Sequence, residues 1–266
     1  MINGTLFRRE IKANGILFII FLGIITMYSV MIVMMFEPEM GDSLRAMAES
    51  MPEIFAAFGM ADVGTTLLEF ISGYLYGMVL TIFPAVFILV LANRLVARYV
   101  SDGSMAYLLA APVKRRSIVI SQAVFLIAAL LLMALYVVGM ICAASAVLFP
   151  GELEVAEFIK VNAGVFGLWI FIGGICFLVS CIFNDSRRVA GINAGIVIYS
   201  YLIQMVSQVG DRFEGLKYIT PFTLFNAKDL ASGKTGAWVA CAVLYGAGLI
   251  FIFSGIRIFN RRNLPL

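Results

Sequence analysis

GILFIIFLGIITMYSVMIVMMF, residues Gly15–Phe36, runs for 22 positions without a charged side chain. At 1.5 Å per helical residue it reaches about 33 Å, enough to cross the ~30 Å hydrocarbon core of a bilayer. It is too long for the apolar core of a secretory leader and is read as an uncleaved first span. The chain repeats this pattern. Hydrophobic residues make up 62% of its 266 positions and its mean hydropathy is +1.00. Such values belong to membrane proteins. Apolar runs predict spans at about 15–36, 70–97, 120–144, 162–183, 189–208 and 237–259. Pro84 lies inside the second and should kink it. The predicted fold class is therefore an all-α integral membrane protein with six transmembrane helices, a single transmembrane domain over residues 1–266. No polar segment is long enough to build an independent soluble core.

An even number of spans puts both termini on one side, and charge selects which. Assigning the N-terminus, the 94–116 loop, the 184–188 turn and the C-terminus to one face gives that face 13 of the 19 Lys and Arg. Its only acids are Glu10, Asp102 and Asp185, a balance of +10 against −7 on the other face. The positive-inside rule then makes both termini cytoplasmic. Residues 1–14 carry Arg8, Arg9 and Lys12 beside Ile2, Leu6, Phe7 and Ile11, the composition of an amphipathic helix lying in the interface. On the outer side, segments 51–59 and 218–230 are too short to span and read as interfacial or re-entrant. Tyr74 and Tyr76, near the outer end of the second span, read as interfacial-belt aromatics.

Composition also excludes chemistry. The chain has no histidine, which removes imidazole acid–base work and imidazole metal ligands. Cys142, Cys176, Cys181 and Cys241 all lie in apolar runs, and Cys176 and Cys181 stand about 140° apart around a helix. That arrangement suits packing, with no metal site, no catalytic residue and no cofactor bound by this chain. No G-x-x-x-x-G-K-[ST] motif occurs, so no ATPase is expected in the chain itself. No Asp, Glu or Lys falls in the middle of a span, where a coupling-ion carrier would need one. An intramembrane enzyme is poorly supported for the same reasons.

Two polar features remain. The stretch 102–116 interrupts the second and third apolar runs. Ser101 or Asp102 could cap a helix start. Met105, Leu108 and Leu109 recur at i, i+3 and i+4, Pro112 ends the turn, and Lys114, Arg115 and Arg116 follow as a basic cluster. A helix this short needs a surface to dock on, a partner or the lipid headgroups. On the fifth span Asn193, Ser200, Gln204 and Gln208 share a broad polar face. It could line a pathway or subunit seam, or hydrogen-bond neighbouring helices within one protomer. Small-x-x-x-small pairs at Gly73/Gly77 and Gly191/Gly195 permit close helix approach.

Gly103-Ser-Met-Ala-Tyr-Leu-Leu-Ala-Ala-Pro-Val-Lys-Arg115 resembles the cytoplasmic motif of type-2 ABC exporter permeases, whose usual pattern is Gly-Thr-Leu-Glu-x-Leu-Leu-Ser-x-Pro-Val-Ser-Arg. Met51-Pro-Glu…Phe58-Gly59 resembles their first external segment, and Thr220-Pro-Phe-Thr-Leu-Phe225 the element before their last span. Ala106 stands where the family has an acid, and Ala110 and Lys114 where it has serines. The resemblance implies a permease subunit of an ATP-driven exporter, paired as a homodimer in a 2:2 complex with a separate cytoplasmic ABC ATPase that carries ATP and Mg. It implies a coupling helix that docks that ATPase through Asp102, Gly103, Ser104, Met105, Tyr107, Leu108, Leu109, Pro112 and Arg115. Arg8, Arg9 and Lys12 would belong to the interfacial helix, and the first and fifth spans would face the partner permease. The plasma membrane of a prokaryotic cell is the implied location, with membrane lipids and no nucleic acid as further partners. The alternative is a membrane sensor or scaffold that binds partners without transporting.

Overall fold

The structure, a computed structural model, describes residues 3–36, 50–57, 66–110, 113–209 and 211–262. In chain order the helices are α1 (Gly4–Met34), α2 (Pro52–Ala57), α3 (Leu67–Ser101), α4 (Ser104–Ala110) and α5 (Arg115–Leu148). They continue with α6 (Val155–Ile182), α7 (Ser186–Ser207), α8 (Ala227–Ala231) and α9 (Thr235–Arg261). Two turns of 3-10 helix, Asp211–Tyr218 and Pro221–Leu224, precede α8. No strand occurs among the described residues. Among the described residues six helices are long and apolar enough to cross a membrane: α1, α3, α5, α6, α7 and α9.

The helices run past their apolar stretches because they end where the sequence caps them. The Asn3 side chain accepts from the Thr5 and Leu6 N–H groups and starts α1. Thr66 and Glu69 form a reciprocal capping box at α3. Asp185 accepts from the N–H groups of Arg187 and Arg188 and starts α7. The N-terminal segment corrects the expectation of a separate interfacial helix. It is continuous with the first span, so Arg8, Arg9 and Lys12 lie exposed in the first turns of the 31-residue α1. Nothing between Gly4 and Met34 breaks the hydrogen-bond ladder, and Leu6, Glu10 and Asn14 form one buried stripe that holds these turns against the bundle.

Helix α6 is the centre of the bundle. Phe158, Trp169 and Phe177 are fully buried on it, and α3, α5 and α9 pack around it. The approach of α9 is the closest, and glycine makes it possible. A Cβ at Gly248 would sit 2.7 Å from the Ile170 carbonyl oxygen, and one at Gly174 would overlap the backbone of Gly248. Gly191 and Gly195, whose spacing suggested such a contact, face open space instead. Tyr76, expected in an interfacial belt, is buried, with ring contacts to Phe158 and Phe225. The helix carrying it, α3, is irregular, with π-helical turns at Ser72–Val79 and Asn93–Ala97.

Pro84 lies inside α3 and has no N–H for the carbonyl four residues back, that of Leu80. In a bilayer such a carbonyl needs another donor. Trp169 Nε1 of α6 supplies it at 2.8 Å. Trp169→Phe is expected to lower the thermal stability of the purified protein by about 1–3 kcal/mol, the cost of a buried unsatisfied carbonyl. Adding Pro84→Ala restores a local donor and should recover part of that loss, as a double-mutant cycle of melting curves would show.

Tertiary hydrogen bonds gather one end of the bundle. The Asn3 N–H donates to Ser121 Oγ (2.7 Å), joining α1 to α5. Asn93 Nδ2 donates to the Ser186 carbonyl while Ser186 Oγ donates to Asn93 Oδ1, joining α3 to α7. This end carries the basic loops. If it faces the cytoplasm, Asp102→Cys and Glu154→Cys, both at exposed positions, should be labelled by an impermeant thiol reagent from opposite sides of the membrane. The native cysteines give little background, since Cys176, Cys181 and Cys241 are buried and Cys142 half-buried. Labelling of both positions from one side would break the six-span topology.

Candidate functional site at the basic end

Helix α4 lies between the second and third spans at this basic end. The expected cap at Ser101 or Asp102 is not used. Ser101 ends α3 and the Asp102 N–H still bonds back to the Arg98 carbonyl. Gly103 then turns the chain at φ +71, a left-handed conformation that favours glycine, and α4 starts at Ser104. Ser104 Oγ donates to the Tyr99 carbonyl (3.3 Å), and Asp102 pairs with Arg98 at 3.4 Å on the exposed surface.

The apolar stripe does not point where its spacing suggested. Met105 is 2% exposed and turns into the protein's own core, so it anchors α4 to the bundle and is not available to a partner. The reason is the sharp turn at Gly103, which folds α4 back on the end of α3. Leu108 is half-buried against the same core. Tyr107, on the opposite face, is 83% exposed and projects outward. The Leu109 side chain and Pro112 lie outside the described residues.

Arg115 is engaged elsewhere. Its Nη1 donates to the Arg262 carbonyl at 2.8 Å, and Arg262 Nη1 in turn donates to the carbonyls of Cys181 (2.6 Å) and Phe183 (3.3 Å). A cation on the free carbonyls of a helix C-terminus also meets the negative end of the α6 dipole. Partial burial pulls the Arg262 guanidinium below its usual pKa. Arg115 is thus part of a brace joining α5, α9 and α6.

The sequence did not single out Glu10, which its charge placed on the cytoplasmic face. It is 2% exposed. Tyr99 Oη donates to Glu10 Oε1 (2.6 Å), Gln122 Nε2 donates to the same oxygen (3.1 Å), and Asn14 Nδ2 donates to Oε2 (3.0 Å). Arg9 lies 5.4 Å from the centre of the Tyr99 ring, on its face. One carboxylate therefore ties α1, α3 and α5 together beneath α4. The signal was present in the spacing, because Leu6, Glu10 and Asn14 recur every four residues and share one face. Next to it an apolar groove of about 180 Å³ is lined by Phe7, Ile11, Asn14, Phe18, Phe87 and Phe125.

The polar face of α7 is divided among different jobs. Asn193 is fully buried and its Nδ2 donates to the Cys176 carbonyl of α6 (3.3 Å), an interhelical bond within the protomer. The Ser200 carbonyl accepts from Thr220 Oγ1 (2.8 Å). With its amide oriented to suit its neighbours, Gln208 donates to the Ala56 (3.0 Å) and Ala57 (3.2 Å) carbonyls and accepts from Gln204 Nε2 (2.9 Å). The Ser200 carbonyl and the Gln208 amide thus hold Thr220 and the Ala56–Ala57 turn against α7, with Gln204 supporting Gln208.

Residues 7–264 match the family model described as ABC-2 family transporter protein. No curated protein matches the chain.

Proposed function

The chain belongs to the ABC-2 transporter family, and we propose from that membership that it is the permease subunit of an exporter, working as a homodimer with two copies of a separate ABC ATPase. The observation that carries this reading is α4. It is a short helix between the second and third spans, pinned by Met105 and presenting Tyr107 to the outside. Its charge surroundings make that end cytoplasmic, where an ATPase would meet it. The docking surface in this reading is built from Asp102, Gly103, Tyr107 and Leu108, with Ser104 and Met105 holding it in place.

The dimer reading draws on burial. Only 17% of the apolar stretch of α1 and 11% of that of α7 is buried, against 72% in α6. On α7 the exposed residues Gly191, Gly195, Ile198, Leu202 and Val206 form one stripe, small at the basic end and large beyond it. Small residues let a second helix approach closely.

Purification of tagged permease from its native membranes in mild detergent tests the reading. The expected result is a co-purifying ATP-binding subunit and a mass matching a 2:2 complex. Folded permease recovered alone would favour a sensor or scaffold.

A further inference from the structure

A fully desolvated carboxylate with no cationic partner is costly, and apolar residues of similar volume would pack such a site as well or better. Glu10 is in that position. Among the described residues it forms no ion pair, and its partners are the neutral donors Tyr99, Gln122 and Asn14. Its placement, rather than its contribution to stability, accounts for it. Tyr99 is bonded at both ends. Its hydroxyl holds Glu10 of α1, while its carbonyl accepts from Ser104, the first residue of α4. A shift of α4 therefore pulls on α1 through a single residue. Beyond these first turns, much of the apolar stretch of α1 is exposed, with 17% of it buried.

We propose that Glu10 is a positioning residue that links the docking helix α4, through Tyr99, to the first span, so that ATPase binding at α4 is felt at the start of α1. The inference rests on the proposed docking of an ATPase at α4. Interfaces of this kind switch between discrete packings when a bonded element moves. A charge-assisted bond of 2.6 Å, shorter than an ordinary neutral pair, transmits such a displacement with little slack.

Hydrogen–deuterium exchange of the purified permease, with and without the co-purifying ATPase subunit, tests this. In the wild type, ATPase binding should protect peptides covering both 104–110 and 4–14. In Tyr99→Phe, which removes only the hydroxyl, protection should remain at 104–110 and be lost at 4–14. Glu10→Leu should behave like Tyr99→Phe. Glu10→Gln keeps an acceptor for Tyr99 and should restore protection at 4–14. If Glu10→Leu does not fold, Tyr99→Phe carries the comparison. Protection at 4–14 that persists in Tyr99→Phe, or that never appears in the wild type while 104–110 is protected, overturns the link and leaves ATPase docking intact. Absence of protection at 104–110 in the wild type overturns the docking reading and the link with it.

Discussion

Gly248→Leu is expected to abolish recovery of folded permease, while Gly195→Leu, an equally large change in the same kind of helix, leaves folding unchanged. At Gly248 the new Cβ would stand 2.7 Å from the Ile170 carbonyl oxygen and 2.8 Å from its carbon. Both are backbone atoms of α6, which no rotamer change can move. The two helices must separate, and the separation spreads along their whole contact, from Gly174 to Gly255, where Phe177 and Cys181 already lie close. Overpacking a well-filled site costs roughly 1–3 kcal/mol, and more where backbone has to shift. Membrane helix association relies on such close packing because lipid supplies no competing hydrophobic drive. At Gly195 no heavy atom lies within 4 Å of an added Cβ, so the protomer accommodates leucine. Size-exclusion profiles of fluorescently tagged variants in detergent separate the two outcomes. In the dimer reading Gly195→Leu shifts the folded peak toward the monomer, because it blocks the exposed stripe of α7. A normal folded profile for Gly248→Leu would mean that the α6–α9 packing is looser than the structure has it.

Tyr107→Asp is expected to remove ATPase capture by tagged permease and to leave insertion and folding untouched. Tyr107 is the large side chain that α4 turns outward, and it touches little of its own protein. Burying such a ring against a partner contributes roughly 1.5–3 kcal/mol, about 10- to 150-fold in affinity, and a carboxylate in its place adds a desolvation cost. Leu108→Asp should combine a docking loss with some loss of stability, because Leu108 also packs on the core. Met105→Asp should fail in a different way. Its side chain is inside, so the variant loses the fold of α4 and the yield of protein rather than docking alone. Pull-down yields normalised to folded permease measure all three. Wild-type capture by Tyr107→Asp would remove α4 from the interface.

The sequence by itself determined the class of the protein. Six long apolar runs, charged only at Arg94 and Arg257 near the ends of two of them, admit only membrane helices, since a spanning segment must satisfy its own backbone hydrogen bonds. The 13 bases gathered at one end, and the glycine and proline that bound 103–112, marked out a short helix between the second and third spans before any packing was known. The caps at Asn3, Thr66 and Asp185 were not singled out, and the cap expected at Ser101 or Asp102 is not used, because a capping side chain has to meet the actual helix start within three or four residues. What faces inward at the basic end was decided only by tertiary structure. Met105, Leu108 and Leu109 form a stripe whatever surface they meet, and periodicity cannot say whether that surface is a partner or the chain's own core. Arg115 and Glu10 carry charges that sequence reading sends to solvent. Arg115 finds a carbonyl 147 positions away at Arg262, and Glu10 finds Tyr99 and Gln122 at separations of 89 and 112. The same holds for glycine, since spacing cannot tell that Gly174 and Gly248 meet while Gly191 and Gly195 stay open. Long-range partners of this kind exist only once the helices are assembled, because the energy of a buried polar group depends on the donors and acceptors that other helices bring to it.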